Sequence, residues 1–143
     1  MGEEYRVHFF KDVYYGSHID STFVALRPGL VLCNPARVNE DTLPEIFRQW
    51  DRIYSPPMES QDVHSPEYLA KSIGSAWIDM NLFSINPGLA MVDRDQVDLI
   101  KLLEKNGVDV IPHKIRHSRM LGGGYHCVTL DIRRKGKLER YFD

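Results

Sequence analysis

Ile19-Asp20-Ser21-Thr22-Phe23-Val24-Ala25-Leu26-Arg27-Pro28-Gly29-Leu30-Val31-Leu32 is answered 59 residues later by Ile78-Asp79-Met80-Asn81-Leu82-Phe83-Ser84-Ile85-Asn86-Pro87-Gly88-Leu89-Ala90-Met91. Ile, Asp, Pro, Gly and Leu recur without a gap, and most other positions keep their class. Each copy reads as an apolar strand, a Pro-Gly turn and a second apolar strand. Pro at the second position and Gly at the third is the pattern of a type II turn, in which glycine takes the positive φ.

A helix signal follows each copy. Thr42-Leu43-Pro44-Glu45 has the form of a capping box with Pro in the first turn. Leu43, Ile46, Phe47 and Trp50 then fall on one helical face. After the second copy, Asp93 with Gln96 opens a helix whose apolar face is Val97, Ile100 and Leu103, and Gly107 stands as its C-terminal cap. Short strands follow at Arg52-Ile53-Tyr54 and at Val108-Asp109-Val110-Ile111. The chain is therefore α/β, with two ββαβ modules over about 17–56 and 76–113. A repeat of this length points to modules that bury their faces against neighbours. Residues 61–71 read as a polar loop leading into a short helix. Val128, Leu130 and Ile132 alternate with Thr129, Asp131 and Arg133, which predicts a further, closing strand.

The bulk composition sets bounds. The 143 residues suffice for one domain with a core, and 43% hydrophobic with 27% charged residues is ordinary globular composition. A net charge of -2 gives no field favouring nucleic acid or an anionic membrane. No apolar run approaches a membrane span, and Met1-Gly2-Glu3-Glu4 has neither the basic flank nor the apolar stretch of a leader. Cys33 and Cys127 belong to no disulfide framework and read as thiols of a reducing compartment, so a cytoplasmic location is the default expectation. Cys33 ends an apolar strand and reads as a small buried hydrophobe.

Cys127 has the less ordinary setting, in Leu121-Gly122-Gly123-Gly124-Tyr125-His126-Cys127. Three glycines allow sharp bending and close approach of a ligand. A thiol at the end of such a turn can be aimed at a substrate, and His18 and Asp20, two residues apart, are natural partners for it. His126 neighbours Cys127, so in extended chain it points away and is expected to pack. His113 and His117 are four apart, but Pro112 and the strand before it argue against a helix that would pair them, and no Cys pair completes a zinc set, so no metal site is expected. The glycine run lacks the Lys-Ser/Thr of a phosphate loop, and Arg133 to Lys137 reads as a solvated basic turn.

The segments Gly16-Ser17-His18-Ile19-Asp20-Ser21-Thr22-Phe23, Pro28-Gly29-Leu30-Val31-Leu32-Cys33-Asn34-Pro35 and Leu121 to Arg134 closely resemble the C-terminal part of the amidinotransferases. Among these are glycine amidinotransferase and relatives acting on inosamines or in cyanobacterial toxin pathways. The likeness runs from about Tyr14 to the last residue. It implies the pentein fold, a five-bladed α/β propeller of ββαβ modules, of which this chain would supply about two and a closing strand. Family members are more than twice as long, and the carboxylate that pairs with their catalytic His lies upstream of the region matched. A C-terminal portion of a single amidinotransferase domain is thus expected, inactive and poorly folded or associating by itself, and in full length open to forming a homodimer.

The resemblance also implies roles. Cys127 matches the nucleophile and His18 the residue that gives and takes the proton. Asp20 matches a carboxylate gripping the guanidinium, although Asp79 repeats it and allows a purely structural part. Arg37 matches a binder of a substrate carboxylate. Ser75 matches one of a serine pair lining the pocket, with Gly74 in place of the other. The expected activity moves the amidino group of L-arginine to an amine such as glycine through an amidino-Cys intermediate, releasing ornithine, with small-molecule substrates and no cofactor. Guanidine hydrolysis by a deiminase-like thiol enzyme of the same fold is the alternative. A papain-like protease is not, because there Cys precedes His and the signature around the Cys is absent.

Overall fold

The computed structural model describes residues 7–10, 13, 19–57 and 73–135. His18 and the loop expected over 61–71 lie outside these residues. The two sequence copies fold alike. Each begins with a single 3-10 turn, Ile19–Ser21 and Ile78–Met80, where the sequence predicts strand. A hairpin follows: Phe23–Arg27 (β1) with Leu30–Cys33 (β2), and Phe83–Asn86 (β4) with Leu89–Asp93 (β5). Both pairs are antiparallel. The register slips between Ala25 and Arg27 in one and at the matching residues, Ser84 and Asn86, in the other. Asp51–Tyr54 (β3) and Asp109–His113 (β6) then lie parallel to β2 and β5, giving two three-stranded sheets in the orders β1-β2-β3 and β4-β5-β6.

The turns differ. Gly29 has φ +81°, as a type II turn needs. Gly88 has no positive φ; its N–H donates to Asn86 Oδ1 at 2.8 Å, so the Asn side chain shapes that turn instead.

The second predicted helix forms as Val97–Lys105 (α1). Leu99 and Leu103 are buried, Ile100 is half-buried and Val97 is exposed, so the buried face is rotated toward Leu99 from the one expected. Gly107 ends the helix at φ +72°. Its N–H donates to Glu104 O and that of Val108 to Leu103 O, each at 3.0 Å, which together form a Schellman motif.

The first predicted helix does not form. Only the 3-10 turn Glu45–Phe47 is present, because the capping-box groups are taken by the preceding loop. Thr42 Oγ1 donates to Arg37 O at 2.9 Å, and Thr42 N–H donates to Asn39 Oδ1 at 3.0 Å. Leu43, Ile46, Phe47 and Trp50 still pack as one apolar cluster, with Val31, Cys33 and Val38.

Strand β2 is buried on both faces and divides the core. Val31 and Cys33 face that cluster. Leu30 and Leu32 face a larger one, shared with Leu26, Ile53, Met80, Leu82, Ala90, Val92, Leu99, Leu103 and Val108. The two modules therefore share one core, and their first 3-10 turns pack against each other.

The closing strand is absent among the described residues. After the short helix Ser118–Leu121 (α2), residues 125–128 form a turn, and Val128, Leu130 and Ile132 project into solvent at 69%, 84% and 93% exposure. An alternating pattern makes a strand only when it pairs with another strand, and among the described residues none pairs with this segment.

Candidate active site

The site grows from the two paired 3-10 turns and the glycine run. Gly122 closes α2 in the left-handed region, at φ +67°. Gly124 lies so close to Asn81 that a Cβ would stand 2.6 Å from its carbonyl oxygen and 2.7 Å from its Cβ. Only a residue without a side chain permits this approach. It lets Tyr125 N–H donate to Asn81 O at 2.8 Å and sets the next residues in a turn, with Val128 N–H donating to Gly124 O. Tyr125 is buried. Its hydroxyl donates to His113 O at 2.7 Å, and burial, with the Asp93 charge adding, keeps it protonated above its ordinary range.

Cys127 emerges exposed from this turn. Asn81, 1% exposed, holds it at two points: Oδ1 accepts the Cys127 N–H at 3.1 Å and Nδ2 donates to Sγ at 3.0 Å. The other Nδ2 hydrogen goes to Asp20 Oδ2 at 2.7 Å. His126 Nδ1 stands 3.0 Å from that same oxygen. Asp20 Oδ1 is buried with no partner among the described residues.

The structure thus joins Asp20 and Cys127, 107 residues apart in sequence, through one carboxamide. The expectation that His126 only packs is overturned. The chain around it is a turn and not extended, so its side chain meets Asp20. Asn81 carried no signal of its own, beyond standing in the repeat where the first module has Thr22.

Arg37 lies beside the same turn as Asp20. Its Nη1 donates to Ser21 Oγ at 2.9 Å and Thr22 Oγ1 at 3.0 Å, which fixes the turn from behind. Ser75 Oγ accepts the Trp77 N–H at 3.1 Å and so steadies the entry to the turn before Asn81. His18 adjoins Asp20 in sequence but lies outside the described residues.

A cleft of about 400 Å³ runs between the hairpins, lined among others by Asp20, Arg27, Ser84, His126, Asp131 and Arg134. It brings two carboxylates and two guanidinium groups to the rim of the site. Among the described residues no three His, Cys, Asp or Glu side chains are grouped to hold a metal ion. No described helix is long and apolar enough to cross a membrane.

Cys33 contrasts with Cys127. It is fully buried, and burial pushes its thiol up to about 11 against a weaker opposing pull from Arg52. A thiol so placed is inert at neutral pH.

No family model matches the chain. Individual relatives do. Inosamine-phosphate amidinotransferase 1 of Streptomyces glaucescens is 50% identical over 141 residues, 99% of this chain. L-arginine:L-lysine amidinotransferase of Pseudomonas savastanoi pv. phaseolicola is 40% identical over 143 residues, again 99% of the chain. The solved structure of inosamine-phosphate amidinotransferase from Streptomyces griseus superposes with a TM-score of 0.89 at 48% identity over 98% of this chain. The chain spans 39%, 37% and 39% of the length of these three proteins. With the fold and the sequence agreeing over nearly all of its residues, the chain belongs to the amidinotransferase family.

Proposed function

We propose that this chain carries the thiol-bearing part of an amidino-transfer site, on about two blades of a five-bladed propeller. The observation that supports this most directly is Cys127, exposed on its glycine turn and fastened to Asp20 through Asn81. In this reading the Cys127 thiolate attacks the central carbon of an arginine guanidinium. The bond from that carbon to the arginine chain nitrogen breaks, and ornithine leaves with a proton supplied by His18. The amidino group stays on sulfur as a cationic thiouronium. An amine then attacks the same carbon, gives up a proton and expels the thiolate. Thiolate suits both halves, being strongly nucleophilic and a good leaving group. A histidine titrating near neutrality suits the alternating proton transfers.

Asp20 Oδ1 is a buried acceptor with no partner among the described residues, which fits a carboxylate awaiting a cationic donor group. Arg37 would hold a substrate carboxylate with the guanidinium face not bound to Ser21 and Thr22, and Ser75 would line the pocket. Gly74 leaves room beside Ser75, which favours an amine larger than glycine. The names of the relatives, inosamine-phosphate and lysine enzymes, accord with that.

The test is a chimera in which this chain replaces the region it matches in the Streptomyces griseus enzyme. Arginine is supplied with an amino-cyclitol, lysine, glycine or no acceptor. Ornithine is expected only when an acceptor is present, and not at all in Cys127→Ser. Citrulline formed regardless of acceptor establishes guanidine hydrolysis in its place. A folded chimera that forms neither product overturns both readings.

A further inference from the structure

Asn81 uses its whole carboxamide on the site. Both Nδ2 hydrogens are donated, one to Asp20 Oδ2 and one to Cys127 Sγ, and Oδ1 receives the Cys127 N–H. Its backbone carbonyl receives Tyr125 N–H, and Gly124 has no side chain where one would strike it. The residue is buried, so these groups have no water to fall back on. In the first module the matching Thr22 is buried too and accepts a hydrogen bond from Arg37. The position after the first 3-10 turn thus serves in each copy to tie down a distant side chain.

A carboxamide N–H bonds weakly to a neutral thiol and strongly to a thiolate. It is itself uncharged, so it can stand between a carboxylate and a thiolate and attract both. Without it the carboxylate would face the sulfur across the same gap and oppose its ionisation.

We propose that Asn81 is the positioning residue of this centre, holding Cys127 as an oriented thiolate beside Asp20 and screening the two negative groups from each other. The proposal deepens the reading of Cys127 as nucleophile and rests on it for its meaning. Its test reads the thiol alone and needs no amidino transfer.

Alkylation of Cys127 by iodoacetamide is followed by mass spectrometry across pH, with buried Cys33 as the internal silent thiol. Asn81→Asp keeps the shape and the oxygen that receives Cys127 N–H but replaces the donating nitrogen. Its alkylation profile is expected to move up by about one pH unit or more, so that labelling at neutral pH slows about tenfold. Because Asn81→Asp sets two carboxylates together and can harm folding, the exchange Asp20→Asn with Asn81→Asp is made as well. It keeps a donor–acceptor pair between the two positions while denying the sulfur its donor, and the same upward shift is expected. In the unaltered chain the Asn81 side-chain amide resonances should move with pH in step with alkylation, and stop doing so in Cys127→Ser.

Wild-type alkylation profiles in the folded variants, or amide resonances indifferent to the thiol, would falsify the proposal. A shifted profile together with a chimera that transfers no amidino group would leave Asn81 in this role and remove the proposed reaction instead.

Discussion

At the scale of single residues, close approach matters more than residue type. Gly124 is the sharpest case. Adding a methyl there would drive it against the Asn81 backbone and side chain together, at 2.6 to 2.8 Å, and neither can yield without dragging Cys127 or Asp20 along. Gly124→Ala should therefore cost about 1–3 kcal/mol, as overpacking does, and should also slow Cys127 alkylation; denaturant unfolding and thiol labelling check the two effects. Cys33 gives a prediction of opposite character. Its thiol ionises near 9.0 when exposed and resists until about 11 when folded. The proton is therefore held more tightly in the folded chain, and the associated stability is whole below pH 9 and declines as pH rises from 9 to 11. The loss is up to about 2 kcal/mol. Cys33→Ala should be less stable at neutral pH by about 1 kcal/mol yet decline less across that window, which urea titrations at pH 8, 9.5 and 11 would reveal. Cys127 and Asp20, which Asn81 bridges, were legible in the sequence as candidates for one site. Asn81 and His126 were not, because their roles depend on a turn bringing 81 and 126 together, and no local spacing encodes such a contact.

At the scale of elements, the repeat carried most of the fold. It located both hairpins, and the register slip found in one recurs at the matching residues of the other, since like sequences twist and bulge alike. It did not reveal the failed first helix. Thr42 and Leu43 to Trp50 satisfy every local rule for a helix, but Asn39 and Arg37 compete for the same capping groups and win, leaving one 3-10 turn. Apolar spacing predicted the burial of those side chains correctly, because packing depends on which faces are apolar and not on the length of helix presenting them. Elements of different modules are also tied by a single side chain. Arg27 of β1 donates to Asn106 O at 2.9 Å and to Gly107 O at 3.2 Å, so a cation from the first module caps the C-terminus of the helix in the second. Cations are favoured there because the last carbonyls are unpaired and carry the negative end of the helix dipole. Arg27→Met, which keeps most of the apolar stem, should lower stability by about 1 kcal/mol. Hydrogen exchange should show the loss concentrated in the last turn of α1; equal protection there would mean that Arg27 only decorates the surface.

At the scale of the whole molecule, the two sheets share a core on one side and leave a sequence made for pairing on another. Val128, Leu130 and Ile132 alternate as strand residues do, and all three face solvent. The chain spans 39% of its inosamine-phosphate relative, so such a segment has room for a partner in the longer protein. Alone, the chain must leave this surface wet or bury it against another copy. Each of these side chains gains roughly 1.5–3 kcal/mol on full burial, and a row of exposed apolar side chains is a usual site of association between chains. The purified 143-residue chain is therefore expected to self-associate at micromolar concentration. It is also expected to release no ornithine from arginine, since in the proposed reading Cys127 and Asp20 are only part of the constellation that transfer requires. Leu130→Lys with Ile132→Lys should shift sedimentation toward monomer and leave the circular dichroism unchanged, because neither side chain touches the core. If association persists undiminished in that double variant, the segment is not the surface responsible.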